Sequence, residues 1–513
     1  MLAQEAHAHP PAPAAILEIA KRAPTLRSGI GSAHDSVGTS SREAQAFYDQ
    51  GLAYVHSYVW LEAARSFNAA LHADPKLAVA HAQLWVAYTE LNAPAAAREA
   101  IERAAALAPR ATDHDRRHIE LQRLRAAAEA ARQDASALAR YRAALDTALA
   151  AFPNDEELWL ARGQAESPDP AERGQGSVAG SIRFYERART LAPDHFAAHH
   201  YLTHAYENSG RITEALSEGA NYAKMAPKVP HARHMHGHDL RRVGRIDEAI
   251  AEFAEADAIE STYLANERIP VEFDWHYQHN LDLLGTSYQY VGQMAKAESR
   301  LKASFAIQSS LLEQEFNKRE WPGFLIARGR AKEALEAANV LASHRSPVVA
   351  AIGHVAAGQA KLALGDPKGA ADEANAALRL VRGAEGGGLV AIPLQTLQGE
   401  FFLRTGQQAK GRPMLEEVVR KLRALPGPDA WTQTLFTLDS LARAAREAGE
   451  WDFAEWLARQ MLDHDPNYAG THYALGLAAR HRGDGTGARR EFDLAKQYWK
   501  NADPDLPELK QVR

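Results

Sequence analysis

The sequence predicts an all-α protein, a right-handed superhelical α-solenoid of about eleven or twelve stacked helix pairs. Three observations carry this expectation. From residue 41 onward apolar residues recur with helical spacing almost without a break. Landmarks repeat every 34 residues, as in Pro75 and Pro109, Pro193 and Pro227, Gly210 and Gly244, and Gly449 and Gly483. Residue size also follows this period, which is the mark of a helix pair that cannot bury its apolar face alone and therefore stacks on its neighbours.

With the turn glycine between paired helices numbered as position 15, alanine falls at position 20 in Ala63, Ala215, Ala249, Ala297, Ala334, Ala370, Ala454 and Ala488. Larger groups such as Phe67, Phe253 and Phe492 fall at position 24. Glycine recurs at position 8, in Gly51, Gly163, Gly237, Gly285, Gly358, Gly399 and Gly476, where backbones are expected to approach closely. The pattern resembles the tetratricopeptide repeat (TPR) over roughly residues 41–500. Around it the expected organisation is a flexible lead-in at 1–40, an N-terminal repeat block at 41–345, a C-terminal block at 346–500 and a polar tail at 501–513 that frays or caps the stack. Insertions at 167–181 and 259–276, and the glycine-rich break at 383–388, are expected to form loops along one edge.

Composition narrows the chemistry. The chain has 513 residues and no cysteine, which excludes disulfides, thiolate nucleophiles and cysteine-held metal clusters. Its formal charge of −6 argues against a general nucleic-acid binder. No apolar run reaches the roughly 18–20 residues needed to span a bilayer, so a soluble chain without membrane insertion is expected. The stretch Leu2-Ala3-Gln4-Glu5 resembles the remnant of a cleaved export signal. A periplasmic and a cytoplasmic location both remain open. No phosphate-binding glycine loop or nucleophile elbow is visible, so nucleotide and serine-hydrolase chemistry lack support.

The informative feature is histidine placement. Ten of the 23 histidines fall between residues 195 and 279, where even spreading would place about four. His200 and His234 occupy position 5 of successive units, and His204 and His238 occupy position 9, so each pair leaves one helix face a turn apart. His279 falls at position 2 and Asp282 at position 5 of the next unit, and Glu207 at position 12 of the first. Positions 2, 5, 9 and 12 line the concave groove of such a stack. The expected metal ligands are therefore His200, His204, His234, His238 and His279, with Glu207 and Asp282 as candidate catalytic or orienting carboxylates. Imidazole donors favour Cu or Zn, with Fe and Ni also suited. Outside this set, His195, His231 and His276 are expected on turns, His199 and His236 at helix contacts, His81 and His472 in structural roles, and His56 packing helices together. His7 and His9 read as a solvated tail.

Residues 47–67, 200–207 (HYLTHAYE), 234–245 (HMHGHDLRRVGR) and 279–284 (HNLDLL) resemble a group of bacterial TPR proteins. That group shows an HxxxHAxE helix, an HMPSH helix followed by RxGR, and an HN pair opening the third helix. The resemblance spans about residues 45–340 and marks His200, His204, Glu207, His234, His238 and His279. Here His236-Gly237 stands in place of the Pro-Ser, and Asp282 stands where histidine is frequent. The resemblance implies no particular reaction. Two functions from different classes follow. One is a metalloprotein, an oxidoreductase or hydrolase with a small-molecule ligand. The other is a non-catalytic scaffold holding a peptide or protein partner in its groove. A metal-free groove whose clustered imidazoles charge near pH 6 is a third.

Overall fold

A computed structural model of the chain describes residues 14–309, 311–384, 386–425 and 428–512. The readings of Leu2 to Glu5, His7 and His9 lie outside the described residues. The described residues are mainly helical and contain no strand. They form a stack of TPR-type helix pairs, an α-solenoid, divided into two compact units at residues 273 and 274.

The first unit opens with α1 (Ala14–Ala20) and then builds six pairs. These are α2 (Arg42–Val55) with α3 (Trp60–Ala73), α4 (Ala78–Glu90) with α5 (Pro94–Leu107), and α6 (Asp113–Ala130) with α7 (Ala135–Ala151). They continue with α8 (Glu156–Gln164) and α9 (Ile182–Leu191), α10 (Ala197–Asn208) and α11 (Ile212–Met225), and α12 (Pro230–Arg242) and α13 (Ile246–Glu267). The second unit begins with α14 (Trp275–Tyr290) and α15 (Met294–Ala306) and also holds six pairs among its described residues, ending at Gly485–Tyr498. The expected block boundary at residue 345 falls inside this unit. There Leu341 and Val348 share one apolar cluster, so packing continues across it without a seam.

The 34-residue period has a local cause. At position 15 the chain enters the left-handed region, at Gly210, Gly244, Gly292, Gly329, Gly365, Gly406, Gly449 and Gly483. This conformation ends a helix and lets the next residue's N–H bond back five residues, as Arg211 does to the Tyr206 carbonyl at 2.8 Å and Arg245 to that of Leu240 at 2.9 Å. Tyr58 and Asn92 occupy the same position with φ of 59° and 54° and make the same bond through Val59 and Ala93. Position 8 is glycine because position 24 of the same pair lies against it. A Cβ on Gly51 would stand 2.4 Å from the Phe67 ring, and one on Gly476 2.4 Å from Phe492. The position-20 alanines are buried for the same reason, that two helices nearly touch.

Three segments differ from expectation. Residues 21–40 are no flexible lead-in but a strap packed on the first unit, with Ile30, Ala33 and Val37 buried. Backbone bonds hold the strap, from the Arg27 N–H to Gln50, from Gly38 to Asp115, and from Lys228 to the Gly29 carbonyl. The 259–276 insertion is helical through Glu267, lengthening α13 to 22 residues, because its apolar and charged residues find partners on the first pair. Tyr263 donates to Glu62 at 2.8 Å, and Arg65 donates to Glu267 at 2.8 Å. The 167–181 insertion turns inward, where Glu172 accepts from the Gly174 and Gly176 N–H groups and the Arg173 carbonyl accepts from Tyr58. The tail folds into a cap, with Leu506 and Val512 buried against the last pair.

Candidate metal centre

Helices α10 and α12 present the histidines that the repeat frame aligns. On α10 the i, i+4 spacing sets the rings of His200 and His204 4.9 Å apart, and on α12 those of His234 and His238 4.5 Å apart. These residues and Glu207 are at most 5% exposed, so none of them lines an open face. The first pair covers the α10 end of this set. The His56 carbonyl accepts from His200 Nδ1 at 2.6 Å, and the Tyr58 ring stands 4.7 Å from that of His200 and 5.1 Å from that of His231.

One convergence includes a residue that the sequence places on a turn. His231 lies in the first turn of α12, behind Pro230 at the helix start, and its Nε2 stands 3.1 Å from His200 Nε2. His204 Nε2 is also 3.1 Å from His200 Nε2. One donor nitrogen from each of the three lies within 4.8 Å of the others. Pro230 was the available signal, since proline at the first helical position begins a helix and carries the next residue into it.

The protonation pattern follows from the partners. A carbonyl oxygen only accepts, so His200 carries its proton on Nδ1 and offers a lone pair at Nε2. A single lone pair takes one N–H, yet two other Nε2 atoms crowd it. Burial, with His204 adding to it, holds the His200 pKa well below the ordinary value. Burial, countered by Glu207 and reinforced by His238, brings His204 down to about 4. His200 and His204 are therefore poor at holding an extra proton and stand neutral. A tetrahedral ion with bonds of roughly 2.0–2.1 Å sets its donors about 3.3 Å apart, close to the spacing present.

The five expected imidazoles are all present on α10, α12 and α14. His200 and His204 join His231, while His234 and His238 form an adjoining pair whose His238 Nδ1 is 3.7 Å from Glu207. His279, half-buried, and Asp282, buried, belong to α14 of the second unit. His199 and His236 pair with Glu218 and Glu252 instead, at 2.5 Å and 3.1 Å.

Behind the trio lies a hydrogen-bond relay. The Tyr201 hydroxyl donates to His56 Nδ1 at 2.9 Å, and His56 Nε2 donates to Glu157 at 3.0 Å. His195 Nε2 donates to the same carboxylate at 3.0 Å, because its Nδ1 accepts from the Ala197 N–H. Burial would raise Glu157, but His56 and His195 outweigh it and hold the carboxyl well below its usual range. Both Nε2 protons are spent on Glu157, so this group is a satisfied network that orients the His56 carbonyl. No sequence signal links His56 to Glu157, which stand 101 residues apart.

No family model matches the chain, and no curated protein matches it by sequence. Several solved structures resemble it. YrrB, described as a TPR protein with an unusual peptide-binding site, is 18% identical with a TM-score of 0.23, over 39% of this chain and 90% of that one. Yeast Tom70 is 12% identical with a TM-score of 0.35, over 91% of this chain and 94% of that one. A human IFIT1 dimer with PPP-AAAA is 11% identical with a TM-score of 0.36, over 90% and 92% of the two chains.

Proposed function

We propose that this α-solenoid is a metalloprotein whose first unit holds one transition metal ion, Cu or Zn in class, on His200, His204 and His231. The observation that carries this reading is the meeting of three buried Nε2 atoms with only one proton's room between them. The His56 carbonyl supports it by fixing the metal-binding tautomer of His200. His234 and His238 extend the donor set along α12, with Glu207 beside His238. The ion would supply Lewis acidity or a redox couple, while Tyr58 and the first pair exclude water from the trio.

Metal analysis of untagged full-length protein tests this. His204→Ala and His231→Ala are each expected to carry about one equivalent less Cu or Zn per chain than the parent. Metal-free protein whose melting is unchanged by added Cu, Zn, Fe or Ni overturns it. A scaffold for a protein partner is the second reading, favoured by apolar side chains that the second unit leaves exposed at Val340, Leu364 and Leu378. The buried groove positions of the first unit weigh against a peptide seated there.

A further inference from the structure

A second cluster of donors lies in the first unit, away from the trio. His114 and His118, also spaced i, i+4, leave α6 toward Asp155, the N-cap of α8, and toward Asp35 of the strap. His118 Nε2 is 2.8 Å from Asp155 Oδ2, and His114 Nε2 is 3.2 Å from both Asp155 Oδ2 and Asp35 Oδ1. Donor atoms of Asp35, His114 and His118 lie within 4.8 Å of one another. Beside them opens a cavity of about 460 Å³, lined also by His34, Phe152, Asn154 and Glu156.

We propose that His114, His118, Asp35 and Asp155 form a second divalent-cation site, of the Zn²⁺ class, bordering this cavity. Two imidazoles and two carboxylates make a mixed nitrogen and oxygen set that suits a borderline divalent ion. Their negative charges match that ion's charge once the imidazoles are neutral. Two of the donors, His114 and Asp155, are anchored through their far side, as metal-binding groups usually are. His114 Nδ1 meets Asp115 Oδ1 at 3.3 Å, and Asp115 Oδ2 in turn accepts from the Gly38 N–H at 2.9 Å. Asp155 Oδ1 accepts from the Leu158 N–H that it caps at 3.1 Å. The strap is part of the site, because without residues 33–38 the cluster loses both Asp35 and the bond that steadies Asp115. Unlike the buried trio, this site has a partly exposed ligand, since the His114 side chain is 24% exposed.

The alternative is a set of imidazolium–carboxylate hydrogen bonds, which have similar distances. Chelator-stripped full-length protein titrated with Zn²⁺ alone at pH 7.5 separates the two, read by diethyl pyrocarbonate modification of individual histidines in mass spectrometry. Zn²⁺ is expected to shield His114 and His118, and Asp35→Asn is expected to raise the zinc needed by about tenfold or more. Asp155→Asn, which keeps a capping side chain on α8, serves if the first variant does not fold. Shielding that persists in His204→Ala distinguishes this site from the trio. Equal modification with and without Zn²⁺, or shielding unchanged in the variants, overturns the proposal.

Discussion

Tyr58 stands at the turn position that eight of the pairs fill with glycine, and a bulky residue in the left-handed region costs about 1–2 kcal/mol. The offsetting contacts are visible, with a buried ring beside His200 and His231 and a hydroxyl bonded to the Arg173 carbonyl. A rule of the repeat is thus broken where the first pair closes over the trio. His81 shows the opposite, a histidine whose role is packing. Burial, reinforced by Arg103, lowers it to about 4, so between pH 6.5 and 4 the unfolded chain takes up a proton that the folded chain refuses. Stability tied to His81 is therefore complete above pH 6.5 and declines as the pH falls toward 4. In His81→Gln, urea unfolding between pH 6.5 and 4 is expected to show a shallower loss of stability than the parent, and an identical slope would rule this out.

Among the elements, the helix pair is held by a small residue facing a large one. Gly51 of α2 admits Phe67 of α3, which is fully buried and worth about 1.5–3 kcal/mol of apolar burial. Gly51→Ala is expected to destabilise by about 1–3 kcal/mol, because the new Cβ enters the ring's space. Adding Phe67→Leu should recover part of the loss, and strictly additive effects in denaturant melts would show that the two do not touch. Repeat spacing exposed this interlock directly. The insertions were less legible, since the lengthened α13 depends on partners about 200 residues away, at Glu62 and Arg65. Local composition suggests a loop at 259–267, and the tertiary contacts make it helix.

Within each unit, winding returns the first pair to the last ones. In the first unit this brings His56 to Tyr201 and Glu62 to Tyr263. In the second, Tyr290 donates to Asp465 at 2.7 Å, the Asp503 N–H reaches the Gly292 carbonyl at 3.1 Å, and Arg328 pairs with Glu508 at 2.8 Å. Stacked repeats need a finished end, and residues 501–512 supply it with Leu506 and Val512. A chain ending at Lys500 is expected to lose about 3–5 kcal/mol from the last pair, from two buried side chains and their polar contacts. Faster hydrogen exchange in residues 469–498 would report that loss, and unchanged protection there would show that the tail is no cap.

The amino-acid order alone determined the helix pair, its 34-residue period, the residue sizes at each position and the shared face of His200 with His204 and of His234 with His238. All of these depend on neighbours within one or two turns or one repeat, where spacing in sequence is spacing in space. Which rings meet was decided by tertiary structure. His231 joins the trio and His56 orients it because a whole unit of winding brings the first pair onto the fifth and sixth, and Asp35 reaches His114 because the strap crosses α6. Those distances accumulate over many small rotations between repeats, which no local pattern records.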